Sequence, residues 1–222
     1  MKTFILNKEQ YSLGGLLFLP ENSKGAPLII YLHGAGERGE NIEHLYKHGI
    51  PKLINEKKEF PAIILCPQCP AEFVWNNVVK ELKSMIDKVV LEYSVLPDRI
   101  SITGSSMGGF GTWEMALTYT AFFAAAAPVA GGGLSWRAPN LRKTPIIAYH
   151  GSIDTAVPLI YSELMVNSTN KSGGKAELVV LENLGHNDGI DYAYRNTDLI
   201  EKLINARRTD FEPVPEFLSS MF

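Results

Sequence analysis

Short runs of consecutive apolar residues alternate along this chain with longer stretches whose apolar positions recur every three or four residues. Pro27 to Leu32, Pro61 to Cys66, Arg99 to Thr103, Phe122 to Ala130, Thr144 to His150 and Ala176 to Leu181 are short runs of this kind. Each predicts a buried strand. Between them, Asn76 to Tyr93 places Leu82, Ile86, Val89, Val90 and Tyr93 on one face and predicts a long amphipathic helix. Glu43 to Lys57 (interrupted at Pro51), Leu159 to Lys171 and Asp191 to Arg207 predict further helices, and the segment to Pro20 a strand pair. Strands alternating with helices predict an α/β fold, a mostly parallel sheet with helices on both faces. Residues 1–222 read as a single domain without repeats or linkers, and the spacing leaves little room for a cap domain.

One junction in this pattern carries chemistry. The strand Arg99 to Thr103 runs into Gly104-Ser105-Ser106-Met107-Gly108, which fits G-x-S-x-G, and a helix-like stretch follows from Gly109 to Leu117. A serine at a tight strand-to-helix turn is lifted above the sheet edge beside a helix N-terminus, the geometry of a nucleophile. Ser106 is at the apex; Ser105 is a packing neighbour. A nucleophilic serine needs a base and an acid that orients it, in chain order serine, acid, histidine. Asp154 follows the strand that ends at His150, and His186 follows the strand that ends at Leu181. Loops after strands are where open α/β sheets place their sites. Ser106, Asp154 and His186 are the expected triad. Asp188 and Asp191 compete for the acid, but Asp188-Gly189 reads as a turn and Asp191 as a helix cap. Asp98, after Pro97, reads as a turn or cap residue. His44 and His48 lie four apart on an expected surface helix without further ligands, so no metal site is expected.

The strand Pro27 to Leu32 ends in His33-Gly34-Ala35-Gly36-Glu37-Arg38-Gly39. Backbone N–H groups of such a loop can face the oxyanion of a tetrahedral intermediate, with a second donor from the residue after the nucleophile. Ala35 and Met107 are the expected donors, Gly34 the neighbouring alternative, and the His33 imidazole is expected to hold the loop. The loop lacks the Gly-Lys-Ser/Thr and the ribose acid of nucleotide sites, so no cofactor is expected.

These residues carry a resemblance. The chain resembles the α/β-hydrolases, and within them a small peptidase or esterase group related to polyhydroxybutyrate-depolymerase-like, feruloyl-esterase-like and phospholipase/carboxylesterase enzymes. The matching positions are Leu32 to Gly39, Cys66 to Pro70 with Trp75, Asp98 to Ile100, Thr103 to Trp113, His150-Gly151 with Asp154 and Val157-Pro158, and finally His186. The resemblance implies an α/β-hydrolase fold and the roles named above for Ser106, Asp154, His186, Ala35 and Met107. The chain departs from the group in having Asn187-Asp188 where an aromatic often follows the histidine, and Cys66 where a small residue is usual.

Composition narrows the function further. A net charge of −3 and a pI near 6.0 give no basic excess for nucleic acid. No basic-then-apolar opening and no run of about 18 apolar residues appears, so no membrane span is expected and the expected location is cytoplasmic. Cys66 and Cys69 form one C-x-x-C without zinc partners and read as reduced structural cysteines. Trp75 and Trp136, on loops after strand ends, are expected to line the substrate cleft, and Trp113 the core. Glu37 and Arg38 either contact a polar substrate or pair with each other on the surface. The expected enzyme is a serine carboxylesterase acting on short-chain or small esters through an acyl-enzyme, as a monomer or homodimer. A small serine peptidase is the alternative; a binding module on the same fold is disfavoured by the complete triad. The tail at 211–222 holds six apolar residues and two prolines, and is expected to dock on its own domain or across a dimer.

Overall fold

The computed structural model describes residues 1–212, so the expectation for the tail falls, from residue 213 on, outside the described residues. Eight strands form one sheet: β1 Lys2–Leu6, β2 Gly14–Leu19, β3 Leu28–Leu32, β4 Ile63–Gln68, β5 Ile100–Ser105, β6 Ala125–Val129, β7 Ile146–Gly151 and β8 Ala176–Leu181. Their spatial order is β1-β2-β4-β3-β5-β6-β7-β8. β2 runs antiparallel to β1 and β4, and β4, β3 and β5 to β8 are parallel. This is an α/β-hydrolase fold.

Among the described residues seven helices connect or follow the strands: α1 Lys8–Tyr11, α2 Gly49–Asn55, α3 Val79–Glu92, α4 Met107–Thr118, α5 Ile160–Lys171, α6 His186–Asn196 and α7 Leu199–Asn205. They divide between the two sheet faces because neighbouring strand residues point opposite ways. Leu28, Ile30 and Leu32 of β3 pack with Leu82 and Met85 of α3, Trp113 of α4 and Met165 of α5. Ile29 and Tyr31 join Ile50 and Leu53 of α2, Ile190 and Tyr194 of α6, and Leu203 of α7. β3 is buried on both faces, which explains its unbroken apolar run. Among the described residues no element is left over to form a cap, and no helix is long and apolar enough to cross a membrane.

Helix boundaries differ from the sequence expectation where tertiary contacts override local signals. The stretch Glu43 to Lys57 breaks at His48, not at Pro51: a 3₁₀ turn covers Ile42–Lys47, and Pro51 sits in the first turn of α2. An N–H has no intrahelical partner there, so proline is tolerated. The final helix begins at His186, five residues earlier than the apolar pattern indicates, and breaks after Asn196. Its first turn carries Asn187, Asp188 and Gly189, read from sequence as loop. Gly151 makes that start possible. A Cβ on Gly151 would overlap the Leu184 carbonyl, and one on Gly189 would lie 3.4 Å from the Gly151 Cα. The end of β7 and the start of α6 are therefore pressed together.

Candidate active site

Ser106 stands between β5 and α4 with φ 55° and ψ −118°. That left-handed conformation costs a residue with a Cβ of the order of 1–3 kcal/mol and is held by the surroundings. The Ser106 amide donates to the Val129 carbonyl at 3.0 Å, and the Ser106 carbonyl accepts from the Phe110 amide at 3.1 Å. Gly108 has no room for a side chain, since a Cβ would overlap the Leu32 carbonyl. The motif glycine thus lets α4 lie directly on β3.

The close approach of Gly151 to the 184–189 segment brings two of the sequence candidates together. His186 Nδ1 donates to Asp154 Oδ2 at 2.6 Å, and the Ser106 hydroxyl donates to His186 Nε2 at 2.9 Å. The other oxygen of Asp154 accepts from the amides of Ala156 and Val157, both at 2.9 Å. The Asp154 side chain is sealed from solvent, whereas His186 keeps partial access. Asp191, a competing acid, faces away: it pairs with Lys52 Nζ at 2.7 Å and His48 Nδ1 at 3.4 Å. Lying within α6, it does not cap that helix either. Asp188 is exposed in the first turn.

His150 is a participant that residue-by-residue reading passed over. Its Nε2 donates to the Val157 carbonyl at 2.7 Å and lies 3.5 Å from Asp154 Oδ2; its Nδ1 is 2.7 Å from Ser162 Oγ. Burial pushes its pKa down. The ring fixes the backbone that binds Asp154. Its signal was a polar residue at the end of an otherwise apolar strand.

Ala35 opens a 3₁₀ turn (Ala35–Glu37) after β3, and Met107 is the first residue of α4. The N–H groups at such positions have no partner inside their own helix. His33 fixes the first loop. Its Nδ1 donates to the Gly34 carbonyl at 2.6 Å, and its Nε2 accepts the Cys69 amide at 2.9 Å. Both nitrogens are used by a neutral ring, in keeping with burial driving its pKa down to about 4.

Two expectations for the cleft need correction. Trp75 is not a substrate contact: it is 1% exposed, packs edge-on to His33, and donates its indole N–H to the His33 carbonyl at 2.9 Å. A loop position after a strand looks exposed in sequence, but the His33 carbonyl offers the indole a buried partner. Glu37 is not on the surface either. It is 3% exposed, and makes no ion pair with Arg38, which donates to the Ala35 and Phe73 carbonyls. Trp136, in contrast, is 51% exposed on the 3₁₀ segment (Ser135–Leu141) after β6. Leu134, Ile153 and Tyr161 are also exposed, and Phe110 packs edge-on to Tyr161. Cys66 and Cys69 are free and buried, with burial raising both thiol pKa values. Among the described residues no three His, Cys, Asp or Glu side chains are grouped to hold a metal.

With the site assembled, relatives give it a family. The model of the phospholipase/carboxylesterase family matches residues 72–192, more than half of the chain and a span that includes Ser106, Asp154 and His186. The chain belongs to the phospholipase/carboxylesterase family. It is also similar to poly(3-hydroxyalkanoate) depolymerase C of Paucimonas lemoignei, at 32% identity over 67% of this chain and 45% of the depolymerase. Among solved structures, a thermostable esterase superposes with a TM-score of 0.77 at 27% identity, covering 93% of this chain and 63% of the esterase. A feruloyl esterase module from Clostridium thermocellum shares the fold, with a TM-score of 0.64 at 18% identity over 82% of this chain and 81% of the module. This member of the phospholipase/carboxylesterase family thus spans less than two thirds of both the depolymerase and the thermostable esterase.

Proposed function

We propose that this protein is a serine carboxylic-ester hydrolase that works through an acyl-enzyme. The observation that carries the reading is the continuous hydrogen-bond line from Asp154 through His186 to a Ser106 held at positive φ. Ser106 Oγ attacks the acyl carbonyl as His186 Nε2 takes its proton, and Asp154 stabilises the imidazolium. The amides of Ala35 and Met107 receive the oxyanion. On collapse of the intermediate, His186 returns the proton to the alkoxide, and the alcohol departs. Water then repeats the sequence against the acyl carbon, with His186 as base, and releases the acid from Ser106.

Substrates with short acyl chains fit this site best. The apolar side chains after β6 and β7 lie open to solvent, with no described element enclosing them. A long chain would therefore gain little buried area. Family membership supports ester rather than peptide cleavage.

The test is covalent labelling and turnover. A fluorophosphonate should modify Ser106, and Ser106→Ala should neither label nor hydrolyse p-nitrophenyl acetate. A panel of acetate, butyrate and longer esters, 3-hydroxyalkanoate oligomers and proline-containing anilides then defines the range. Absent labelling, or efficient turnover restricted to anilides, would sink the reading.

A further inference from the structure

We infer that Glu37 is a positioning residue for the oxyanion loop, holding it against Ser106 and tying it to the helix that begins with His186. The inference rests on the ester-hydrolase reading for its kinetic consequences only.

A buried carboxylate is costly unless its surroundings compensate it. Where packing alone is needed, an apolar side chain of similar volume serves as well or better. Glu37 is 3% exposed, and its carboxyl lies beside the nucleophile: a Cβ on Gly34 would stand 3.3 Å from Glu37 Oε2 and 3.7 Å from the Ser106 Cβ. The Glu37 carboxylate and the Ser106 Cβ thus both lie close against Gly34. Burial raises the Glu37 pKa, opposed by the nearby charges of His48 and Lys47.

The charge has few partners. His33 Nδ1 is 3.9 Å from Oε2, but that ring spends its hydrogen on the Gly34 carbonyl. His48 Nε2 lies 3.9 Å from Oε1, and the opposite nitrogen faces Asp191 Oδ1 at 3.4 Å. Asp191 belongs to α6, one and a half turns after His186, and is held from the other side by Lys52. Both nitrogens of His48 thus face carboxylates, one under the oxyanion loop and one on the helix of the candidate base. The 3₁₀ turn carrying Ala35 and the helix carrying His186 are connected by this polar line as well as by the sheet. Backbone donors serve an oxyanion only when fixed in advance. Displacement of the order of 1 Å costs about 100-fold in rate.

The experiment compares the full chain with Glu37→Ala and Glu37→Gln. It reads amide hydrogen exchange at Gly34 and Ala35, and kcat and KM for p-nitrophenyl acetate. Glu37→Ala should raise exchange in this loop on the order of tenfold while β3 and β5 amides keep their protection. It should lower kcat by about 10- to 100-fold with KM within about twofold of wild type. Glu37→Gln keeps an acceptor oxygen and should recover most of both. Unchanged exchange and kcat in Glu37→Ala overturns the inference, as does a fall in kcat that only tracks global unfolding. If the alanine variant does not fold, Glu37→Leu, apolar and of similar volume, decides: raised loop exchange in a folded protein supports the role and unchanged exchange overturns it. A wild-type chain that fails to label or turn over ester would remove the ester-hydrolase reading, while loop exchange would still decide the part played by Glu37.

Discussion

The two flanks of Ser106 are built on opposite principles. On the β3–β4 side, His33 and Glu37 of the glycine-rich loop are buried together with Gln68 and Trp75, and Phe73 and Val74 surface beyond them. Gln68 donates to the Glu37 and Asn41 carbonyls, both at 2.9 Å, adding to the bonds of His33 and Trp75. On the β6–β7 side, Leu134, Trp136, Ile153 and Tyr161 lie open to solvent. Groups that must already point the right way when charge develops are locked by buried hydrogen bonds, because the enzyme cannot reorganise them during the reaction. Groups that meet a substrate can stay exposed, since they gain their burial from the substrate itself. The first flank is expected to govern rate and stability together, and the second substrate affinity alone.

The largest effect is expected where the flanks meet. Asp154→Asn keeps the shape of the side chain but favours the wrong tautomer of His186. It should lower kcat for p-nitrophenyl acetate by about 10⁴-fold, with a folded protein by circular dichroism. A loss below tenfold would remove Asp154 from its proposed role and reopen the choice of acid.

Next comes acid sensitivity on the buried flank. His33 has its pKa driven down to about 4 by burial, against an ordinary value of 6.5. Between those values the unfolded chain takes up a proton that the folded ring refuses. Stability from this group is full above pH 6.5 and falls as pH drops toward 4, by about 3 kcal/mol in all. Urea midpoints at pH 7 and pH 4.5 measure the fall. His33→Asn should flatten it, and an identical slope in the variant would assign the acid sensitivity elsewhere.

Trp75→Phe tests the same flank more gently. It keeps a ring on His33 but leaves the buried His33 carbonyl without its indole donor, a cost of about 1–3 kcal/mol. Denaturation midpoint and kcat should fall together, and a change in KM alone would blur the contrast between the flanks. The smallest effect is expected on the open side. Trp136→Ala should move the midpoint by less than about 0.5 kcal/mol. Its KM for esters with larger acyl or alcohol groups should rise several-fold, with kcat for the acetate unchanged. A large loss of stability would show that Trp136 is structural, as Trp75 proved to be.

The chain by itself determined the alternation of strands and helices, the strand-to-helix turn at Ser106, and the placement of Asp154 and His186 after strand ends. Those features are legible because strand runs, tight turns and chain order are local properties. Only the tertiary structure decided which of the charged and aromatic residues beside those turns face solvent. Glu37 next to Arg38 reads as a surface pair or substrate contact and Trp75 as a loop aromatic, yet both are buried, one within the glycine-rich loop and one against its His33. The start of α6 at His186 likewise depends on Gly151, which has no room for a side chain against the Leu184 carbonyl, 33 residues later in the chain. Burial and hydrogen-bond partners come from segments distant in sequence, so no local pattern encodes them.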